Sequence, residues 1–267
     1  MSIIRPFKGI RPRADLASAI AALPYDVYNS EEAREIVAAE PKSFLQIDRA
    51  ETLLPKGTNP YSEAVYKTAS ETLNRMIDEG SFLQDKEPCY YLYALTMNGR
   101  TQTGLVGCAS IDDYCNNVIL KHENTLEAKE QDRIRHIDAC SAQTGPIFLA
   151  YRADKKLGEI IKNVRLTPEV YDFTSDDGIR HEVWRIDKMS TIVDISKIFE
   201  AIPHLYIADG HHRAASAVKV GLKRRAEDLH FSGTEEYNYF LSVLFPADEL
   251  AIYDSVSYTH LTLPTIA

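Results

Sequence analysis

The chain has 267 residues, 45% of them hydrophobic and 26% charged, a globular composition that excludes a disordered or collagen-like polymer. A formal net charge of −9 repels phosphate backbones, and the run Lys223-Arg224-Arg225 is too short to make a nucleic-acid stripe. No stretch reaches the ~18 consecutive apolar residues of a membrane span, and Met1 to Lys8 lacks a signal-peptide core. The expectation is a cytoplasmic protein with no nucleic-acid or membrane partner.

Ile3 to Ile10 reads as a strand and Asp15 to Ala22 as a short helix, broken by Pro24, which has no N–H to give a helix interior. Asn29 is placed to cap a helix running to Glu40, with Glu32 as its capping-box partner. Ser43 to Asp48 reads as a strand. Asn59-Pro60 predicts a helix start, followed by Val65, Ala69, Leu73 and Met76 at helical spacing and closed by Gly80. Tyr90 to Met97 and Thr101 to Ile111 are β-rich runs joined by Asn98-Gly99, which favours a type I′ hairpin turn. Thr125 to Cys140 is a charged helix and Pro146 to Tyr151 an apolar strand. Then come a helix (Lys155 to Asn163), a β pair (Val170 to Thr174 and Arg180 to Ile186) and a helix (Met189 to Ala201). Strand His204 to Ala208 leads through Asp209-Gly210-His211-His212-Arg213 into helix Ala214 to Val220, and Tyr237 to Phe245 and Leu250 to Tyr253 close the fold. The pattern is one α+β domain over residues 1–254, with mixed sheets and antiparallel hairpins. Ser255 to Ala267 resembles translated adapter read-through and reads as a non-native tail. The four cysteines, Cys89, Cys108, Cys115 and Cys140, include no C-x-x-C pair, so neither a zinc framework nor a redox motif is expected.

Asp209 to Arg213 is the sharpest chemical signal. A β run meets glycine and then a helix start, so open backbone N–H groups and the helix dipole converge there, which suits an anion. Gly210 permits close approach, and His211, His212 and Arg213 add donors. The bland alternative is a capped turn with a surface ion pair. Lys121-His122-Glu123-Asn124-Thr125 comes next, at a helix mouth, where Glu123 suits a general base or a Mg²⁺ ligand and equally a dipole-stabilised helix charge. Asp132 and His136 share a helix face beside Arg133. Pro24-Tyr25-Asp26-Val27 and Arg49-Ala50-Glu51 lie at element ends, where substrate contacts gather. Walker, dinucleotide, protein-kinase and nucleophile-elbow patterns do not occur.

Taken together, Pro24-Tyr25-Asp26-Val27, Ser43-Phe44-Leu45, His122-Glu123-Asn124-Thr125, Asp132-Arg133, Gly145-Pro146-Ile147-Phe148-Leu149 and Asp209-Gly210-His211-His212-Arg213 resemble the domain-of-unknown-function family numbered one thousand and fifteen, from Ile4 to about Asp254. Members are similar to free-serine kinases of the ParB/sulfiredoxin-like superfamily, and against that family the chain stops early. The resemblance implies a ParB/sulfiredoxin-like nucleotide-binding core and transfer of a phosphoryl group from ATP or ADP, with Mg²⁺, to the hydroxyl of free L-serine. It gives Gly210, His211, His212 and Arg213 to the phosphates and Glu123, Asp209 and His212 to catalysis. Glu123 or Asp209 would meet the metal. Asp26, Glu51, His122 and Arg133 are the expected substrate contacts, with Glu51 in reserve as base. The rival reading is a nucleotide-binding regulatory module without transfer. A ParB-like nucleic-acid switch is disfavoured by the charge, and a sulfiredoxin-like activity by the lack of a cysteine in the turn.

Overall fold

The computed structural model describes residues 1–250. In chain order its elements are β1 (Ile4–Arg5), β2 (Ile10–Pro12), α1 (Ala17–Ile20), α2 (Ser30–Ala39), α3 (Leu45–Asp48), α4 (Glu63–Asp78), β3 (Phe82–Gln84), β4 (Tyr90–Met97), β5 (Arg100–Ser110), α5 (Ile111–Cys115), β6 (Ile119–Leu120), α6 (Glu127–Cys140), β7 (Ile147–Tyr151), α7 (Lys155–Val164), β8 (Tyr171–Thr174), β9 (Arg180–Ile186), α8 (Met189–Ala201), β10 (Leu205–Asp209), α9 (His211–Glu227) and β11 (Tyr239–Pro246). The fold is α+β. Its main sheet is open and mixed, in the order β6-β10-β7-β11-β5-β4-β9-β8, with β1 also paired to β5. Among the described residues only β6–β10 and β7–β11 pair in parallel.

The expected hairpin is present: β4 and β5 pair from Met97↔Arg100 to Tyr91↔Val106, and Asn98 and Gly99 take φ of 52° and 77°, as a type I′ turn requires. The capping box also forms, Asn29 accepting from Glu32 N–H while the Glu32 side chain accepts from Asn29 N–H. Both faces of the sheet are covered. Along β4, Tyr90, Leu92 and Ala94 pack on one face with Phe199, Ala214 and Val218 from α8 and α9. Tyr91, Tyr93 and Leu95 pack on the other with Phe7 and Ala17, the period-2 alternation of a strand buried on both sides. Each of the large aliphatic and phenylalanine side chains among them stabilises the fold by roughly 1.5–3 kcal/mol. A third core, built on Ile20, Phe44, Ile47, Leu73 and Met76, ties α1, α3 and α4 to the end of α6 at Cys140.

Several expectations need correction. Ser43 to Asp48 is not a strand: Leu45–Asp48 is a helical turn whose Phe44, Leu45 and Ile47 are all buried. An apolar run of this length, buried all round, carries no periodicity to separate strand from helix. Helix α4 starts at Glu63 behind Ser62 rather than at Pro60, because Asn59 accepts a bond from Tyr61 N–H and makes a turn instead. Ile3 to Ile10 splits into two short strands. The last helix begins at His211, three residues before Ala214, and runs on to Glu227. Ile111 opens a short helix instead of ending β5. The tail Ser255 to Ala267 and the expected strand Leu250 to Tyr253, apart from Leu250, lie outside the described residues.

Candidate functional site

Strand β10 delivers Asp209 to the sheet edge of a cleft, and Gly210, at φ 89°, turns the chain into α9. That positive φ is the left-handed region glycine enters freely. Gly210 is the N-cap and has no side chain to satisfy the first turn, so the leading N–H groups of α9 stay open to an outside acceptor. Arg213 lies over this turn. Its Nη1 donates to the Pro146 carbonyl at 2.7 Å and its Nη2 to Asp209 Oδ2 at 2.9 Å, which fixes the guanidinium beside Gly145 and Gly210.

The cleft under Arg213 gathers motifs distant in sequence. Pro24 and Tyr25, Asp48, Arg133 and His136, Thr144 to Phe148, Asp209 and Arg213 all line it. Arg133 and His136 project together because they sit one turn apart on α6. Arg133 is buried, stacks 4.0 Å from the Tyr25 ring centroid and pairs with Asp132 Oδ2 at 2.8 Å. Burial works against its charge, but Asp132 and Asp48 outweigh burial and raise its pKa. His136 is displaced the other way, below the ordinary histidine range, by burial and by the Arg133 charge. Its Nε2 donates to the Ile47 carbonyl at 3.0 Å, an acceptor that fixes the proton on that nitrogen. Asp48 accepts from the Thr144 hydroxyl at 2.7 Å.

A second group flanks the turn. His211 is buried, with its Nδ1 3.5 Å from Glu123 Oε2 and its ring 4.4 Å from that of His122. Its Nε2 is buried without a hydrogen-bond partner among the described residues. Burial and the neighbouring His122 push its pKa down, outweighing Glu123 and Asp209, so the ring is neutral at pH 7. His212 accepts the Leu126 N–H on Nε2 at 3.0 Å, tying the 121–126 loop to α9. Glu123, 59% exposed, stands at this rim and does not line the Arg133 cleft.

The remaining expected contacts divide. Glu51 is buried in an adjoining lobe that shares Tyr25, Asp48 and Arg133 with the cleft. Its carboxylate is engaged by Arg49 Nε at 2.7 Å and the Ser30 hydroxyl at 3.2 Å, while Arg49 also holds the Tyr25 and Tyr28 carbonyls. That makes it a clamp on the Pro24–Ser30 loop. Asp26 is exposed and lines neither space. Sequence reasoning passes over Asp48 and Thr144. Asp48 reads as the end of a strand, and the one available signal is its place between two motifs.

Among the described residues no helix is long and apolar enough to cross a membrane. No curated protein and no solved structure matches the chain. A family model does match, over residues 4–255, the span that holds every residue of this cleft, and the chain therefore belongs to the family of proteins of unknown function DUF1015.

Proposed function

We propose that the protein is a small-molecule kinase, passing a nucleotide phosphoryl group to the hydroxyl of free L-serine on a ParB/sulfiredoxin-like core. The observation that carries the reading is the Asp209–Arg213 turn: an uncapped helix N-terminus behind a left-handed glycine, with a fixed guanidinium over it and a second, buried guanidinium in the same cleft. This is an anion cradle, and phosphoryl transfer needs chiefly positioning and charge neutralisation. The terminal P–O bond of the nucleotide breaks, a P–O bond forms to the serine oxygen, and the hydroxyl proton passes to a carboxylate. Glu123 and Asp209 are the carboxylates nearest the turn.

Among the described residues no three His, Cys, Asp or Glu side chains gather into a metal-binding group. Magnesium in this reading comes with the nucleotide. Exposed carboxylates such as Glu123 and Asp209 fit it, since Mg²⁺ keeps several waters and takes one or two carboxylates beside substrate phosphates. The test is a matrix of ATP and ADP against free amino acids, scored by phosphorylated product. O-phosphoserine formation supports the reading. Nucleotide binding in calorimetry with no product from any acceptor replaces it with a regulatory module.

A further inference from the structure

Beside its buried guanidinium, the floor of the cleft holds a carboxylate that a phosphate cradle does not use. Arg133 spends Nε and Nη2 on Asp132, and Asp132 also accepts from the Tyr66 hydroxyl at 2.9 Å. Nη1 of Arg133 has no hydrogen-bond partner among the described residues, although the side chain is buried and lies in the wall of both the cleft and the adjoining lobe. Asp48 lines the same two spaces. One of its oxygens takes the Thr144 hydroxyl, and no cationic side chain pairs with it among the described residues. Asp48, Asp132 and Arg133 together leave one negative charge over, and His136, kept neutral, does not offset it. The half-buried Asp48 carboxylate and the unused Arg133 arm therefore face one cleft with opposite charges, an arrangement that a ligand carrying both opposite charges complements.

We infer that Asp48 and Arg133 form a subsite for the zwitterionic backbone of a free α-amino acid, with Asp48 taking the ammonium and Nη1 of Arg133 the carboxylate. Arg133 presents a planar donor suited to a carboxylate, and its guanidinium stacks on the Tyr25 ring. Asp48 and Arg133 share the cleft with Arg213 and Asp209, so an amino acid held there has its side chain free to reach the phosphate cradle. The subsite rests on the kinase reading only for what happens to that side chain. Backbone recognition stands apart from it.

The experiment is calorimetric titration of the intact protein, without nucleotide, using L-alanine, which has no hydroxyl to phosphorylate. L-lactate, with a hydroxyl for the ammonium, and L-alaninamide, with a neutral amide for the carboxylate, are the comparisons. Alanine is expected to bind at least tenfold more tightly than either. Asp48→Asn is expected to erase the preference over lactate and keep the preference over alaninamide. Equal binding of all three, or no alanine binding at millimolar concentration, overturns the subsite, and Asp48 then merely balances Arg133. Because the ligand series is run on the unaltered chain, its outcome stands even where the variant fails to fold. Alanine selectivity without O-phosphoserine production in the separate transfer assay keeps the subsite and removes the kinase. Transfer without backbone selectivity does the reverse.

Discussion

Arg213 donates to the carbonyl of Pro146, 67 residues earlier in the chain, at 2.7 Å. With Asp209 on its other arm, this guanidinium is oriented by the residue that leads into β7 and by the last residue of β10 before any ligand arrives. An anion at the α9 terminus therefore meets a donor that need not be reorganised, the condition under which fixed dipoles bind most strongly.

Arg213→Lys keeps the charge and loses the fork that serves Pro146 and Asp209 together. Nucleotide affinity is expected to fall ten- to a hundredfold, roughly 1.5–3 kcal/mol. The melting temperature should hardly move, because the Asp209 partner is 64% exposed and such pairs contribute at most ~1 kcal/mol. Titration and thermal melting of both forms check this, and unchanged affinity would remove Arg213 from the phosphate site.

Gly210→Ala acts on both backbone and site. A Cβ at this position sits 3.2 Å from Arg213 Nε and 3.3 Å from its Cζ, on a backbone at φ +89°. Left-handed backbone costs a non-glycine residue about 1–2 kcal/mol, and the guanidinium must shift to make room. The expected result is a loss of that size in a urea melt together with weakened nucleotide binding. A variant as stable as the parent would show that the turn relaxes freely.

Glu123→Gln separates chemistry from binding. If Glu123 takes the serine proton, kcat should drop by about 100-fold or more, in the range of general-base contributions, while nucleotide affinity stays within a factor of about three. Asp209→Asn is the companion variant. A full rate in Glu123→Gln combined with collapse in Asp209→Asn would move the base to Asp209.

Acid should destabilise the fold through buried histidines. His181 is held between the Tyr93 hydroxyl at 2.6 Å and the Ser175 hydroxyl at 2.9 Å, and burial pushes its pKa down from 6.5 to about 4. The unfolded chain takes this proton near pH 6.5 and the folded chain only near pH 4. Stability is thus complete above pH 6.5 and lost as pH falls through that window, by roughly 3 kcal/mol at most. His136 and His211 shift in the same direction and steepen the slope. Denaturant melts between pH 7 and pH 4.5 should show a shallower slope for His181→Gln, and an identical slope would exclude His181 as a contributor.

Local signals read well from the chain wherever one short-range constraint dominates. Asn98-Gly99 demands positive φ at both positions, and Asn29 with Glu32 makes a reciprocal pair, so each specifies its own geometry. The strand–glycine–helix join at Gly210 is legible for the same reason. Tertiary burial defeats the rest. Phe44, Leu45 and Ile47 are buried by three neighbouring elements at once, which removes the periodicity that would mark a helix. Asp48 follows from that error: as the end of a strand it has no visible role, whereas the last residue of α3 is carried into the cleft beside Arg133. Glu51 illustrates the opposite failure, a carboxylate well placed in sequence whose Oε1 is held by both Arg49 and Ser30.

Strand β11 is the last described element, and it lies between β7 and β5 in the middle of the sheet. During synthesis the β6-β10-β7 part, which carries the Asp209–Arg213 turn, and the β5-β4-β9-β8 part have no shared strand until Tyr239–Pro246 has emerged. Vectorial folding therefore yields two half-sheets whose edges stay exposed to solvent and chaperones until Tyr239–Pro246 is available to join them. Ribosome-stalled chains ending before Tyr239 should bind a holdase that chains extending past Pro246 release. Equal binding by both would mean that the halves close without their central strand.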